Sequence, residues 1–375
     1  MNSQEYLRPK LVGRRFENHS IPLDILRDLA VLEEMVGEVA KWKFRQANPD
    51  CRRTPRGFSK KITIALTQVE EGSAIPVLAL MFAGFFPPGE HVYYEQARDA
   101  IIAAIRESEL QKPPSDYLPP KALAYFDRFG RSLRDGEAIE FVSNHTEPPA
   151  RLTKEVRRRL LLASREVKEV TEEIELRGMI HEANQETMTF QVTLADGSKI
   201  SGPIATPHFD NIIEVFRGYK VGTKIHIQGV GRFSRNQRLL GLESIEHTTI
   251  LDPQDIPARF EELKLLRDGW LDGIGIAPPP DGLDWLAAIM TEKYPDHLPL
   301  PYAYPVAEGG VQFEWPLGSH EPSLEIDLNG KTGEWHDLDF GTGKEAEEPL
   351  DLRDEKDWEW LIGRLTELAG DKHGD

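Results

Sequence analysis

The sequence predicts a multidomain α+β protein: an N-terminal α+β domain over residues 1–165, a central OB-like β-barrel over 166–252 and an acidic α+β domain over 256–375. Three observations lead there. Helical and strand periodicities alternate along the 375 residues with no internal repeat, and that length favours two or three cores over one. The stretch FQVTLADGSKISGPI, Phe190 to Ile204, alternates apolar and polar residues on both sides of Asp196-Gly197, as a β-hairpin does. Charge is also uneven: residues 1–150 hold 20 basic and 21 acidic residues, 151–250 hold 15 and 13, and 251–375 hold 10 and 29. The last third therefore carries the net charge of −18, which suits a basic partner or high solubility.

In the first segment, Ile25, Leu29, Leu32, Val36 and Val39 recur at helical steps and predict a long helix. Ile62, Ile64 and Leu66 alternate as in a half-buried strand. A second helix is expected around Tyr94, Ala97, Ile101 and Ile105, a third near Lys121 to Phe129, and a short strand at Ala138 to Val142. Ser73 is read as the N-cap of a helix entering AIPVL, and RLTKEVRRRLLLASREV as a basic helical connector.

The central segment contributes EEIELRGMI, where Gly178 interrupts the alternation and suggests a bulge or sharp bend. The hairpin follows. Then TPHFDNIIEVF predicts a helix capped by Thr206 with Pro207 at its first position, its apolar face formed by Phe209, Ile212, Ile213 and Phe216. Two strands, Lys224 to Val230 and Arg238 to His247, complete the order strand-strand-strand-helix-strand-strand of an OB-fold.

In the last segment a helix is expected from Pro257 to Leu266, a loop over GWLDGIGIAPPPDG, and a helix around Trp285 to Met290. VQFEW, LEIDL and GEWHDLDF predict three strands of a small sheet of three or four. An acidic stretch from Lys344 to Asp357 leads into a closing helix, Trp358 to Leu368.

Several function classes lose support. The opening MNSQEYLRPKLVGRRF lacks a secretion-signal pattern, and the longest nearly apolar run, IPVLALMFAGFF, has 12 residues where a spanning helix needs about 20. One cysteine, Cys51, allows neither an internal disulfide nor a multi-cysteine metal site, and although Arg52 and Arg53 adjoin it no histidine is placed to activate it. His208 and His226 lack metal-ligand spacing, and no Walker, GxSxG, HExxH or dinucleotide fingerprint occurs. The expectation is a cytoplasmic protein without a cofactor, a metal or a membrane partner, and the reading leans away from an enzyme.

Two surfaces remain as candidates. At the tip joining the last two barrel strands, Arg232, Phe233, Arg235 and Arg238 cluster, with Arg157, Arg158 and Arg159 in the connector nearby; such a set suits nucleic acid or a partner protein. In the acidic domain, strand alternation puts Glu314, Glu325, Asp327 and His336 on one sheet face, opposite Val311, Phe313, Trp315, Leu324, Ile326 and Leu328. Carboxylates with a histidine suit a divalent cation or a basic partner, and equally the wet side of a one-sided sheet.

The segments GRRFENHSIPLDIL, GFSKKITIALTQVEEGSAIPVL, YFDRFGRSLRDGEAIEF and ELRGMIHEANQETMTFQVTLADG resemble a loose group of uncharacterised bacterial proteins with a central OB-like barrel. The closing third, GWLDGIGIAPPP through LPLPYAYPVAEGGVQFEW and LEIDL, is similar to small bacterial proteins that also occur alone. Genes of this group sit in toxin–antitoxin-like or phage-defence neighbourhoods, so the resemblance implies a partner-binding role and assigns no catalytic residue. The expected function is a non-enzymatic subunit that restrains or scaffolds an effector, such as a nuclease, encoded nearby. An OB-fold nucleic-acid-binding subunit and a metal-dependent enzyme using the acidic sheet are the alternatives.

Overall fold

The computed structural model describes residues 2–51, 53–55, 58, 62–70, 74–82, 91–142, 148–164, 167–318 and 320–370. Helix and strand are mixed, and the chain divides into two compact units, Met1–Ile174 with Gly229–Ser244 and Glu175–Gln228 with Ile245–Asp375. No helix among the described residues is long and apolar enough to cross a membrane.

The first unit opens with strands β1 (Asn2–Leu7) and β2 (Lys10–Val12) and the long helix α1 (Leu23–Ala47). Strands β3 (Ile62–Glu70) and β4 (Ile75–Phe82) follow, then α2 (His91–Glu109), the one-turn α3 (Pro120–Leu123), β5 (Ala138–Phe141), β6 (Ala150–Leu152) and α4 (Lys154–Ala163). The apolar stripe of α1 is buried at all five predicted positions, and α2 adds Tyr94, Ala97, Ile101 and Ile105 to the same core. The strands form two antiparallel sheets, ordered β1-β4-β3 and β2-β5-β6. The connector is helix α4, whose N-cap Thr153 accepts the Val156 N–H at 3.2 Å.

Three expectations change in this unit. Residues after Ser73 form strand β4, because Ile75, Val77 and their neighbours pair with β3 on one side and β1 on the other; Ser73 itself lies outside the described residues. Leu66 is 45% exposed and Ile64 only partly buried, although they pair with the buried Leu78 and Leu80, so this face of β3 is not fully covered. The third helix is one α-turn continued by a 3-10 turn over Ala124–Asp127.

Charge enters this core. Asp28, 3% exposed, accepts the Ser132 backbone N–H at 3.3 Å and its hydroxyl at 3.2 Å. Arg157, 1% exposed, donates to the carbonyls of Phe126 and Asp127 at 2.6 Å each and of Thr171 at 2.8 Å. Burial pushes the Asp28 carboxyl up to about 7, against the pull of its Ser132 bonds. The folded protein therefore holds a proton that the unfolded chain, with an ordinary carboxylate at 3.8, releases at lower pH. Stability from this group is greatest in acid, falls as pH rises from about 4 to about 7, and is level above that. Asp28→Asn removes the titration and keeps an acceptor for the Ser132 N–H. Urea unfolding at pH 5 and pH 8 is expected to show the variant losing roughly 2–3 kcal/mol of the wild-type decline between those values. An unchanged pH profile would mean that ionising Asp28 costs the fold nothing.

Strands β7 (Glu169–Asn184), β8 (Thr189–Leu194) and β9 (Lys199–Pro203), helix α5 (Phe209–Arg217), and strands β10 (Ile225–Ser234) and β11 (Leu239–Ile250) come next. The five strands make a curled sheet, half of a barrel, in the order β11-β10-β7-β8-β9. The predicted hairpin is β8–β9: Phe190 pairs with Gly202 and Val192 with Ile200, and Gly197 takes the left-handed conformation (φ 80°) that its turn requires. Gly178 has a different role from the one expected. A Cβ there would stand 2.3 Å from the Thr193 carbonyl oxygen, so the glycine permits close backbone approach, and the bulge falls later, between Ile180 and Glu182. Thr206 does not cap α5. Thr206–His208 form a 3-10 turn containing Pro207, and α5 after it buries Ile212 and Val215 while Phe216 is 39% exposed.

The C-terminal region runs α6 (Ile256–Leu263), α7 (Pro280–Lys293), β12 (Tyr302–Pro305), β13 (Val311–Glu314), β14 (Ser323–Asp327), β15 (Thr332–Asp339), β16 (Lys344–Asp351) and α8 (Glu355–Gly370). Its strands form a five-stranded antiparallel meander, where a sheet of three or four was expected. β12 is flanked by prolines, and β16 is the acidic stretch, where Leu350 is the fully buried residue. One sheet face packs Phe313, Trp315, Leu324, Ile326 and Trp335 into a core with Phe260 of α6, Leu286 of α7 and Trp358 and Leu361 of α8. Between α6 and α7 the chain folds back on itself. Gly269 N–H reaches the Gly275 carbonyl (2.7 Å), Leu271 N–H that of Ile274 (3.0 Å), and Ile276 N–H that of Ala307 (2.8 Å). Trp270 Nε1 donates to the Ile276 carbonyl at 3.1 Å. Leu271, Ile274 and Ile276 stay 40%, 67% and 58% exposed on this loop.

Candidate acidic docking face

A strand's period of two sends alternate side chains to opposite faces, so the register of the C-terminal meander fixes what its uncovered face carries. One row across the five strands is Tyr302, Glu314, Ser323, His336 and Glu347; the next is Tyr304, Gln312, Glu325, Glu334 and Pro349; a third holds Asp327, Thr332 and Asp351. Glu314, Glu325, Asp327 and His336 thus lie on one face, spread over three rows. Glu314 and His336 are two strands apart, about 10 Å at ordinary strand spacing, with Ser323 between them. His336 Nδ1 instead faces Glu347 at 3.6 Å, and Asp327 Oδ1 accepts the Asn329 N–H at 2.9 Å in the β14–β15 turn. Among the described residues no three His, Cys, Asp or Glu side chains converge to hold a metal ion.

Glu325 stands directly across from Glu334. Like charges opposite one another in a sheet are destabilising, by a few tenths to about 1 kcal/mol. Both residues are exposed, so nothing in the fold requires either charge.

At the β12 end the face becomes concave. Tyr302 and Tyr304, each 43% exposed, lie 6.5 Å apart with rings inclined by 19°. With Gln312, Glu314, Trp315, Pro316, Glu321, Pro322 and Ser323 they line a groove of about 400 Å³. Gln312 Nε2 donates to Glu314 Oε1 at 2.8 Å and orients that carboxylate. The sequence reading missed both tyrosines. The signal was Tyr-Ala-Tyr alternation before VQFEW, hidden within a proline-rich run.

The sheet's edges are guarded. Arg259 of α6 donates Nε to the Ala303 carbonyl on β12 at 3.0 Å, and β16 presents glutamates and Pro349. Charge, proline and side-chain cover are the devices that discourage strand addition.

The basic tip is mostly committed elsewhere. Arg235 donates to the carbonyls of Leu162 (2.6 Å), Ser164 (3.1 Å) and Val167 (2.7 Å), the region where α4 ends. Arg232 lies 3.6 Å from Glu169, Phe233 is partly buried and Arg238 is exposed. The connector arginines are engaged within the fold: Arg157 is buried, Arg158 pairs with Glu172 at 2.9 Å, and Arg159, itself exposed, donates to the Ser108 carbonyl at 3.2 Å. Their helix turns these side chains onto neighbouring carbonyls and carboxylates, which a run of three arginines does not reveal by itself.

His226 Nε2 meets Glu175 at 3.2 Å, with burial drawing its pKa down, and His208 Nδ1 meets the Thr248 hydroxyl at 3.2 Å. Asp337, 4% exposed, pairs with Arg364 of α8 (2.9 Å) and meets His320 Nδ1 (3.1 Å), polar contacts that tie that helix to β15. Cys51 is exposed. Comparison with protein-family profiles, curated proteins and solved structures returns no match to this chain.

Proposed function

We propose that this chain is a partner-binding protein without catalytic activity of its own, and that the uncovered face of its C-terminal sheet docks a basic protein. The like-charge pair Glu325–Glu334 carries the reading: the face holds charge that weakens the fold and that a cationic surface would neutralise. The excess of acidic residues in 251–375 would steer such a partner and speed its association. A nuclease effector encoded nearby fits this chemistry, because its nucleic-acid cleft is basic and an acidic face can cover it. The order β11-β10-β7-β8-β9 corresponds to OB strands 5-4-1-2-3, and we read the half-barrel as an OB-like module between residues 1–165 and 256–375 in the chain. Nucleic acid at the β10–β11 tip is the weaker reading, since Arg235 is engaged with backbone carbonyls.

Glu325→Lys tests the docking face. It turns the repulsive pair into an attractive one, so the fold is expected to gain up to about 0.5 kcal/mol while partner affinity falls at least about tenfold. Co-expression with the genes flanking its own, followed by native pull-down, is expected to recover a stoichiometric protein with wild type and to lose it with the variant. A variant that keeps its partner overturns the docking face. A complex that absorbs as nucleic acid and loses it in high salt moves the function to the tip.

A further inference from the structure

We infer that the groove between Tyr302, Tyr304 and Glu314 receives an arginine side chain of the docking protein. This rests on the reading of the sheet face as a docking surface and names what that face recognises. Two nearly parallel tyrosine rings and a carboxylate select for a planar cation: a guanidinium lies flat on an aromatic face and donates two parallel hydrogen bonds to a carboxylate. Glu314 is already aimed, since the Gln312 amide holds Oε1 at 2.8 Å. Glu321 adds a second negative charge at the rim, while the exposed ring of Pro316 gives the arginine's methylene stem an apolar contact. None of the described residues lining the groove is basic, so an anion finds no counter-charge among them. A lysine ammonium would gain the charge but neither the stacking nor the paired hydrogen bonds. The guarded edges of β12 and β16 direct an incoming chain onto this face.

The test is titration of the full chain with three uncharged-end pentapeptides, Gly-Arg-Gly-Arg-Gly and its lysine and citrulline counterparts, followed by two-dimensional amide NMR. The arginine peptide is expected to saturate and to shift amides of β12 and β13. The lysine peptide is expected to bind at least threefold more weakly, and the citrulline peptide not to saturate. Tyr302→Ala with Tyr304→Ala, and separately Glu314→Gln, are each expected to weaken the arginine peptide at least fivefold. Tyr304→Phe, which keeps the ring, is expected to leave affinity within twofold. Equal affinity for arginine and lysine, or tyrosine variants that bind as wild type, would overturn the inference in favour of plain charge attraction. If no arginine peptide binds while Glu325→Lys still abolishes the pull-down, the groove is wrong and the docking face stands.

Discussion

Arg157→Met is expected to destabilise the first compact unit by about 3–5 kcal/mol, measured by urea unfolding followed through far-ultraviolet circular dichroism. The guanidinium is 1% exposed and its fork holds three carbonyls at once, those of Phe126, Asp127 and Thr171. Asp127 supports the arrangement from the other side: its carboxylate accepts the Thr171 N–H at 2.8 Å and lies 3.8 Å from the guanidinium. Methionine fills much the same volume, so the loss reports polar groups left without a donor more than it reports a cavity. Burial draws Arg157 down to about 10, still well above neutral pH, so the fork is charged under ordinary conditions. Arg157→Lys should recover only part of the loss, because one ammonium on a flexible stem cannot match a planar fork across three acceptors. A loss below about 1 kcal/mol for the methionine variant would mean that water replaces the fork without penalty.

Gly178→Ala is expected to cost about 2 kcal/mol or more, read as a lower unfolding midpoint for the second unit. The added methyl would stand 2.3 Å from the Thr193 carbonyl oxygen and 2.8 Å from the Val192 Cγ2. A flexible side chain can yield at such a distance; a carbonyl within a strand pair can yield only by moving the backbone, which would disturb the pairing of Gly178 with Leu194. Gly197→Ala would act through its positive φ instead, in a turn with open space around it, and separates steric crowding from conformational strain. Equal effects of the two substitutions would remove the special role assigned to position 178.

These two residues also mark how far a single sequence can be read. Regular periodicity was legible where one face of an element is buried: the stripe of α1, the alternation of β8 and β9, and the apolar positions of β13 to β15 all lie where their spacing implies. Gly178 stood out as a break in a pattern, but its purpose depends on Thr193, a residue 15 positions away on another strand. Arg157 was misleading for the same reason, since its partners sit in a turn and in β7. β16 has glutamates at positions facing either side, with no alternation to detect, and β12 looks like a loop because prolines surround it. The shared face of Glu314, Glu325, Asp327 and His336 follows from alternation alone. The Tyr302–Tyr304 groove and the Glu325–Glu334 opposition needed the register, which a sequence does not state.

The loop between α6 and α7 has a composition, GWLDGIGIA, that suggests slack. Its amides are instead bonded, with Gly269 and Leu271 closing the loop on itself and Ile276 fastened to Ala307. Fixing a residue's backbone costs about 1–2 kcal/mol in conformational entropy, and for this loop that cost is met during folding. Leu271, Ile274 and Ile276 are consequently preorganised apolar contacts, and a surface that meets them would gain their burial without first having to order the chain that bears them.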